Sequence, residues 1–207
     1  MTNTSEITVA ICTFNRSAHL RDTLACLAAQ LADFSDFEVL VVNNNCTDDT
    51  NEVIKEAQKS YPDLRLRTVL EQNQGLSHAR NRALNDANGI YVLFIDDDVY
   101  LEDDFIQNWI QFVVEGEVKA AGGPISVHFD DGKPDWFPMI LAQMLGRHKA
   151  QKSGYVYPKG AFPHGGNMLF RKDVALKIGF NTSIGRAGNQ LSAGEEKDFF
   201  RRLQAEN

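Results

Sequence analysis

The chain has 207 residues, 43% hydrophobic and 24% charged, as expected for one folded domain with a hydrophobic core. Its net charge of −7 argues against nucleic acid as the main partner, because phosphate binding requires a basic surface. No apolar run reaches the roughly 18 residues that a membrane span needs, and the N-terminus predicts no signal peptide. Three cysteines without metal-type spacing predict reduced thiols in a cytoplasmic protein.

The first half of the chain alternates between strand-like and helix-like segments. Apolar runs predict four strands, at residues 7–13, 37–45, 64–71 and 91–95. The third run alternates apolar and polar residues, which is typical of an outer strand. Strict alternation of strands with helices predicts an α/β domain with a mostly parallel central sheet flanked by helices.

Helical spacing predicts the segments that connect these strands. A helix within residues 15–33 is expected to bury one face formed by Leu20, Leu24, Leu27 and Leu31. A second helix is predicted to begin near Thr47 or Asp48, either of which is a suitable cap, and a third covers residues 75–87.

The character of the sequence changes after Gly116. Short strand-like runs lie beside glycine pairs in "AAGGPISVHF" and "PHGGNMLF", and residues 128–160 are predicted to form an irregular loop over a site. "RKDVALKI" and "GEEKDFFRRLQAEN" predict two helices. We expect one domain over 1–207, with a parallel half at 1–115 and a smaller mixed half at 116–207. Because the sequence ends within a predicted helix, we expect the chain to be a truncated piece of a longer protein.

Three consecutive carboxylates, Asp96, Asp97 and Asp98, follow the apolar fourth strand. Alternation along an extended chain places Asp96 and Asp98 on one side and Asp97 on the other. Ligands bind beyond the carboxyl ends of strands in open α/β sheets, and paired carboxylates suit Mg²⁺ or Mn²⁺. Two alternatives are a solvated acidic turn that begins the next helix, and a phosphatase of the haloacid-dehalogenase type with Asp96 as nucleophile. The phosphatase motif normally follows the first strand of its sheet.

Several motifs in this order resemble family 2 glycosyltransferases of the GT-A fold. They are "VAICTFNR", "VVNNNCTDDT", "GLSHARNRAL", "FIDDDV", and "GGNMLFRKD" followed by "GEEKDFFRRL". The resemblance implies a Rossmann-like nucleotide-binding half and an acceptor-side half. It also implies a nucleotide-diphosphosugar donor, a divalent metal and single displacement with inversion. The implied acceptor is a glycan or a lipid-linked sugar in polysaccharide synthesis, at the cytosolic face of the membrane.

The resemblance also implies roles for residues of the donor side. Asp98, supported by Asp96, is expected to bind Mn²⁺ or Mg²⁺, with Asp96 nearer the ribose. Arg80 is expected against the nucleotide or diphosphate, the alternative being a surface charge paired with Asp86 or Glu71. The full set expected to bind the donor is Thr13, Asn15, Arg16, Asn43, Asn45, Arg80, Asp96, Asp97, Gly165, Gly166 and Asn167.

Two positions depart from the family pattern within the nucleotide motif. Asn43 replaces an aspartate that accepts a hydrogen bond from uracil, and Cys46 replaces a serine. An asparagine still offers one acceptor oxygen, so a UDP-sugar remains the expected donor, but its donor group admits another base. Thr13 is expected near the base and ribose, or as a helix cap in competition with Asn15.

The closing motif supplies the expected general base. Glu196 and Glu195 occupy the family's aspartate and glutamate positions, and Glu196 is favoured, with a pKa raised by burial beside apolar walls. The alternative is ordinary acidity at a helix N-terminus. A non-catalytic nucleotide-sugar-binding module that has drifted at Asn43 and Glu196 is the second functional hypothesis.

The acceptor side contains the remaining candidates. Gly165 and Gly166 suit close backbone approach to the sugar, whose hydroxyls Asn167 is expected to bind. Trp136 is predicted either to stack on a sugar ring or to fill the core beneath the loop. The expected core residues of the closing helix are Phe199 and Phe200.

Overall fold

A six-stranded sheet forms the centre of a computed structural model that describes residues 6–129, 132–148, 157–158, 160–185 and 194–206. The strands are β1 (Ile7–Thr13), β2 (Phe37–Asn43), β3 (Leu66–Leu70), β4 (Tyr91–Ile95), β5 (Ala120–Gly122) and β6 (Asn167–Arg171). The helices are α1 (Ser17–Ala28), α2 (Thr50–Ser60), α3 (Leu76–Asp86), α4 (Phe105–Val114), α5 (Lys172–Ile178) and α6 (Glu195–Ala205). A 3₁₀ helix covers Met139–Leu145.

The sheet has the order β3-β2-β1-β4-β6-β5. The first four strands in this order are parallel, and β6 runs antiparallel between β4 and β5. Parallel strands require crossover connections, and α1, α2 and α3 provide them, which explains the strict alternation in the sequence. The predicted mostly parallel α/β sheet, with β3 as its outer strand, is therefore confirmed.

Two apolar layers hold the helices against the sheet. One contains buried residues of α1, α2 and α4, and the other contains buried residues of α3, α5 and α6. Leu20, Leu24 and Leu27 are fully buried in the first layer. Burying such a side chain contributes about 1.5–3 kcal/mol relative to leaving it exposed. Phe199 and Phe200 are buried in the second layer, as predicted.

Several local predictions are wrong. Helix α1 ends at Ala28, and Leu31 is 70% exposed because the chain turns there so that its amide donates to the carbonyl of Asp103 (2.9 Å). Helix α2 begins at Thr50, a little after its predicted start, although the predicted capping residue Asp48 does accept from the Thr50 amide (3.2 Å). Trp136 is 76% exposed and therefore does not fill the core. Part of the predicted loop at 128–160 lies outside the described residues.

The sheet positions polar side chains at one edge. The carboxyl ends of β1, β2 and β4 lie together, and β6 begins there because it runs in the opposite direction. Ile95 lies opposite Asn167, so Asp96 is next to Gly166 across the sheet. Among the described helices, none has the length and hydropathy of a membrane span.

Candidate active site

Strand register brings the acidic triplet beside the end of β1. Ile11 pairs with Ile95, so two residues further along Thr13 lies beside Asp97, and its hydroxyl donates to the Asp97 carboxylate (2.7 Å). Arg16 approaches the same carboxylate at 3.5 Å. Asp97 is buried and points into the fold, and burial raises its pKa despite these two partners. Asp97 and Thr13 therefore fasten the end of β4 to the end of β1.

Asp96 and Asp98 point to the solvent side, on the opposite face from Asp97. Arg16 donates to the Asp98 carboxylate at 2.5 Å, whereas no described residue donates a hydrogen bond to Asp96. Burial raises the pKa of the Asp96 carboxyl group, although part of the residue is exposed to solvent. The charges of Asp98 and Asp97 add to this effect, and Arg80 opposes it. Asp96, which no described cation contacts directly, lies beside Asp98, which is paired only with Arg16, and this arrangement favours a further cation.

The donor set fits a divalent metal only in part. Asp96 and Asp98 offer the oxygen ligands that Mg²⁺ and Mn²⁺ prefer. Within the described ranges, no group of three or more histidine, cysteine or acidic side chains is arranged to hold an ion. Two carboxylates suit an ion that takes its other ligands from a bound diphosphate and water, which is how Mg²⁺ is usually held at phosphate sites. For Asp98 to bind an ion, its contact with Arg16 has to open.

The loop after β2 is built on asparagine side chains. The Asn43 oxygen accepts from the Cys46 amide (2.7 Å), and its amide group donates to Asn51 (2.9 Å). Asn43 is buried, and both ends of the side chain predicted to read the base are bonded, one to the loop and one to Asn51 at the start of α2. In this structure Asn43 shapes the turn, and base recognition by its side chain remains a prediction.

Asn15 and Asn45 share the left-handed backbone conformation, with φ of 53° and 65°. The Asn15 oxygen accepts from the Thr47 amide (2.7 Å), so the loop after β1 is tied to the loop after β2. Neither Thr13 nor Asn15 caps α1, because the Asp48 carboxylate accepts from the Ser17 amide (3.0 Å). The two loops at the nucleotide end therefore form one connected unit.

Asn44 is a structural residue that the sequence reasoning missed. It is buried, its amide group donates to the carbonyls of Glu71 (3.1 Å) and Asn73 (2.8 Å), and its oxygen accepts from Gly75 (2.8 Å). These bonds fix the loop that leads into α3. Three consecutive asparagines after a buried strand were the available signal, since a buried asparagine must satisfy its hydrogen bonds locally.

Arg80 lies in the interior and not on the surface. Its side chain is 3% exposed and donates to Glu195 (3.2 Å) and to Glu196 (3.0 Å), with the guanidinium 5.4 Å from the centre of the Phe180 ring. The alternative of a surface charge paired with Asp86 or Glu71 is therefore wrong. A helix in the first half of the chain thus holds the start of the last helix.

The two glutamates differ in their surroundings. Both oxygens of Glu195 accept hydrogen bonds, one from Arg80 and one from the Gly194 amide (3.0 Å), and the residue is 3% exposed. Glu196 is 19% exposed at its side chain, and no other described residue bonds its Oε2 atom. Burial acts to raise the pKa of Glu196, but the charge of Arg80, the residue's own backbone amide and the hydrogen bond from Arg80 together outweigh it, so the pKa is lowered. The expected rise is therefore wrong.

Gly165 and Gly166 lie between the acidic triplet and the glutamates. A Cβ atom on Gly165 would overlap Glu196 and Arg80, and one on Gly166 would lie 2.7 Å from an Asp96 oxygen. The two glycines thus approach side chains of the protein itself, and their predicted approach to the sugar stays a prediction. We call the triplet, this glycine pair and the two glutamates the carboxylate site.

Asn167 has a role that differs from the expected one. Its oxygen accepts from the Trp109 indole (3.2 Å) and its amide group donates to the Pro124 carbonyl (3.0 Å). The residue is buried, and these two bonds fix the start of β6 against α4, while the predicted contact with sugar hydroxyls stays a prediction. Trp109, which the sequence reasoning missed, is the partner that holds it.

Substituting Gly166 by alanine is expected to weaken metal-dependent binding of a nucleoside diphosphate at least tenfold. The added methyl group would displace the Asp96 carboxylate, whose position the glycine permits. Titration calorimetry of UDP and GDP with Mn²⁺ measures the change. Gly116→Ala is the control, since a Cβ there meets nothing within 4 Å. Equal affinity in Gly166→Ala and wild type would show that the position of Asp96 does not matter for binding.

Comparison with protein families gives one match that covers most of the chain. The model of the family described as Glycosyl transferase family 2 matches residues 8–179. Glycosyltransferase GlyA of Streptococcus pneumoniae is 35% identical over 118 residues, which are 57% of this chain and 16% of GlyA. Succinoglycan biosynthesis protein ExoM of Rhizobium meliloti is 26% identical over 202 residues, 95% of this chain and 60% of ExoM. The chain thus spans less than two thirds of either relative.

Solved structures share the fold. Mannosyltransferase PcManGT from Pyrobaculum calidifontis, in complex with GDP-Man and Mn²⁺, superimposes with a TM-score of 0.70 at 21% identity, over 96% of this chain and 51% of that one. TarS of S. aureus in complex with UDP-GlcNAc gives a TM-score of 0.64 at 20% identity, over 95% and 54% of the two chains. At such identities the likeness supports the GT-A fold alone.

Proposed function

The chain belongs to glycosyl transferase family 2, and from this premise we propose that it transfers a sugar from a nucleotide-diphosphosugar to a hydroxyl group of a glycan or lipid-linked acceptor. The observation that carries the proposal is the arrangement of the carboxylate site. Two outward carboxylates, Asp96 and Asp98, lie at the carboxyl end of β4, and Glu196 lies across the glycine pair. Such an arrangement suits a donor diphosphate on one side and an acceptor hydroxyl on the other.

On the donor side, Asp98 and Asp96 would hold a Mn²⁺ or Mg²⁺ ion. A bound divalent ion neutralises the negative charge that develops on a leaving diphosphate. Arg16 contacts Asp98 and lies at the end of β1, near enough to exchange that contact for a phosphate when the donor binds. The complex of PcManGT with GDP-Man and Mn²⁺ supports such a use of metal in this fold.

On the acceptor side, Glu196 would accept the proton of the attacking hydroxyl. Its lowered pKa keeps the carboxylate ionised at neutral pH, and its Oε2 atom is held by no other described residue. Glu195 has both oxygens engaged and little exposure, which favours Glu196 as the base. Attack from the side opposite the diphosphate would invert the anomeric carbon in a single displacement.

The nucleobase of the donor is the most specific part of the proposal. A UDP-sugar is the first candidate, but Asn43 is occupied within its loop, so we leave GDP-sugars as the competing candidate. A phosphatase reaction has no support, because the family assignment is to glycosyltransferases and the triplet follows β4 and not β1. A location at the inner face of the membrane also belongs to the proposal.

A thermal-shift panel tests the donor site. UDP, GDP, dTDP and CDP are each added with and without Mn²⁺ to wild type, Asp98→Ala and Asp103→Ala. A ligand that binds only the native state at 100 times its Kd stabilises it by about 2.7 kcal/mol. We expect one nucleotide to raise Tm only with Mn²⁺, in wild type and in Asp103→Ala, whose carboxylate is exposed and outside the site.

The outcomes of the panel separate the hypotheses. A metal-dependent shift in Tm that Asp98→Ala loses supports the donor site and identifies the nucleobase of the donor. No shift with any nucleotide, or a shift that survives in Asp98→Ala, contradicts it. A non-catalytic binding module would show the shift but would release no nucleoside diphosphate from the corresponding sugar nucleotide in the presence of acceptor.

A further inference from the structure

Arg80 makes the contacts that join the two glutamates of the carboxylate site. Its two terminal nitrogens are divided, one to Glu195 at 3.2 Å and one to Glu196 at 3.0 Å. The side chain is 3% exposed, and its guanidinium carbon lies over the Phe180 ring, 5.4 Å from the ring centre. A planar guanidinium bonded at both terminal nitrogens has a fixed orientation, which a lysine cannot reproduce.

This division leaves the glutamates in different states. Arg80 and the Gly194 amide together use both oxygens of Glu195. Arg80 uses one oxygen of Glu196, and Oε2 is left without a bond from any other described residue. The same guanidinium therefore locks one carboxylate and orients the other, with one of its oxygens still available to a ligand.

Gly165 supplies the space for this arrangement. A Cβ atom at this position would overlap both the Arg80 guanidinium and the Glu196 carboxylate. A glycine is thus required where the segment before β6 crosses the ion pair of Arg80 and Glu196. The next residue, Gly166, does the same for Asp96, so the ion pair and the acidic triplet lie on neighbouring residues of one segment.

The charges around Glu196 explain why a buried cation is needed there. Asp96 after β4 and Glu195 on α6 are both negative, whereas the nearby positive group is Arg80 on α3, and His164 before β6 adds positive charge when protonated. Without Arg80, repulsion among the carboxylates and burial would favour a protonated Glu196. A protonated carboxyl group has no capacity to accept the proton of a hydroxyl.

We propose that Arg80 is a positioning residue of the sugar-transfer reaction, which orients Glu196 and keeps it ionised. This inference rests on the proposed function, because it assigns Arg80 to the acceptor side of that reaction. Arg80 acts through Glu196, and the donor contact that the sequence resemblance implied stays a prediction.

The test compares variants of defined cluster charge: Arg80→Met/Glu195→Gln matches wild type in net charge, and Arg80→Lys/Glu195→Gln matches Glu195→Gln. Wild type carries one cation and two carboxylates, and Arg80→Met combined with Glu195→Gln leaves one carboxylate, so the net charge is the same. Glu195→Gln alone is the reference that retains the Arg80–Glu196 contact. Arg80→Lys combined with Glu195→Gln retains the positive charge at position 80 but lacks the two terminal nitrogens of a guanidinium. Arg82→Met, which removes an exposed arginine of the same helix paired with Asp86, controls for α3 itself.

Two readouts are made on the full chain, with folding checked by circular dichroism. Carbon-13 NMR of the glutamate carboxyl groups follows the titration of Glu196, whose signal is identified by its loss in Glu196→Gln. We expect a pKa below about 4.5 in wild type and in Glu195→Gln, and above it in Arg80→Met/Glu195→Gln. Nucleoside diphosphate release from UDP-GlcNAc and GDP-mannose with Mn²⁺ measures the reaction.

We expect the release rate at pH 7 to fall about a hundredfold from Glu195→Gln to Arg80→Met/Glu195→Gln, a loss typical of a misplaced reacting group. The acidic limb of the pH–rate profile should move to higher pH, while the Kd of the nucleoside diphosphate changes less than threefold. The lysine variant should keep the lowered pKa but recover only part of the rate. Arg82→Met should behave as wild type.

An unchanged Glu196 pKa in the methionine variant would overturn the proposal. So would a nucleoside diphosphate affinity lowered more than tenfold, since that result would place Arg80 at the donor. If wild type releases no nucleoside diphosphate from either sugar nucleotide, the activity half of the proposed function is contradicted for these donors. The NMR titration still decides the role of Arg80 in that case, because it requires no substrate.

Discussion

Glu196→Gln is expected to lower the rate of sugar transfer by about 10²–10⁴-fold while the affinity for nucleoside diphosphate with Mn²⁺ stays within threefold. Glutamine keeps the size of the side chain and can still accept a hydrogen bond from Arg80, but it cannot take a proton. The carboxylate lies across the glycine pair from Asp96 and is the weakest of the charges that act on Asp96, so we expect its loss to change donor-side binding little. Steady-state rates of nucleoside diphosphate release, with calorimetry for affinity, measure both quantities.

Glu195→Gln is the matched comparison for this prediction. The two residues are adjacent, and both accept hydrogen bonds from Arg80, but Glu195 uses both of its oxygens within the fold. We expect Glu195→Gln to cost less than tenfold in rate and to lower Tm more than Glu196→Gln does. The reverse order of rates would assign the base to Glu195, and full rates in both variants would place the base elsewhere.

The wild-type reaction should also keep its rate in mild acid. The pKa of Glu196 is held below its ordinary value near 4.5, because Arg80 and the residue's own backbone amide together outweigh the effect of burial. The carboxylate therefore remains ionised as the pH falls from 7 toward 5, and this group should limit the rate only below that range.

Local patterns in the sequence predicted most of the fold. Apolar runs located β1 and β4 to the residue, because a strand buried on both faces needs a continuous apolar segment that ends where the chain leaves the sheet. Alternation also predicted the inward direction of Asp97, since a side-chain period of two holds for the residues just after a strand. The prediction that Leu31 is buried was wrong, because spacing alone does not show where a helix ends.

The partners of the site residues were not predictable in the same way. Arg80 and Glu195 are 115 residues apart, and they meet only because α3 and α6 cover the same face of the sheet. Nothing near Arg80 in the sequence indicates this. For the same reason the sequence predicted apolar walls and a raised pKa for Glu196, whereas the folded chain supplies a cation. Spacing predicts which residues share a face, but not which faces meet.

Glu38 shows the same limit at the opposite end of the sheet. It lies in the second residue of β2, an apolar strand, and is 1% exposed. Its carboxylate accepts hydrogen bonds from Thr8 (2.7 Å), from the amide and side chain of Asn88 (2.8 and 2.9 Å) and from Arg67 (3.0 and 3.1 Å). Burial acts to raise its pKa, but these donors outweigh it and lower the pKa to about 2.

Glu38→Gln is therefore expected to destabilise the protein by about 3 kcal/mol at pH 7, from the size of that pKa shift. The folded-state pKa is below the ordinary value near 4.5, so the stabilisation by Glu38 is complete above 4.5 and is lost as the pH falls toward 2. The difference between wild type and variant should accordingly narrow below pH 4.5 and nearly vanish at pH 2. Urea unfolding followed by circular dichroism at pH 7, 5, 4 and 3 measures it.

Glu56→Gln is the control for this change, because Glu56 forms an exposed ion pair with Arg21. Such pairs contribute about 0–1 kcal/mol, and we expect no comparable pH dependence of the difference. A Glu38→Gln difference that stays constant from pH 7 to pH 3 would contradict the electrostatic account. It would mean that Glu38 stabilises the sheet through the shape of its hydrogen-bonding group and not through its charge.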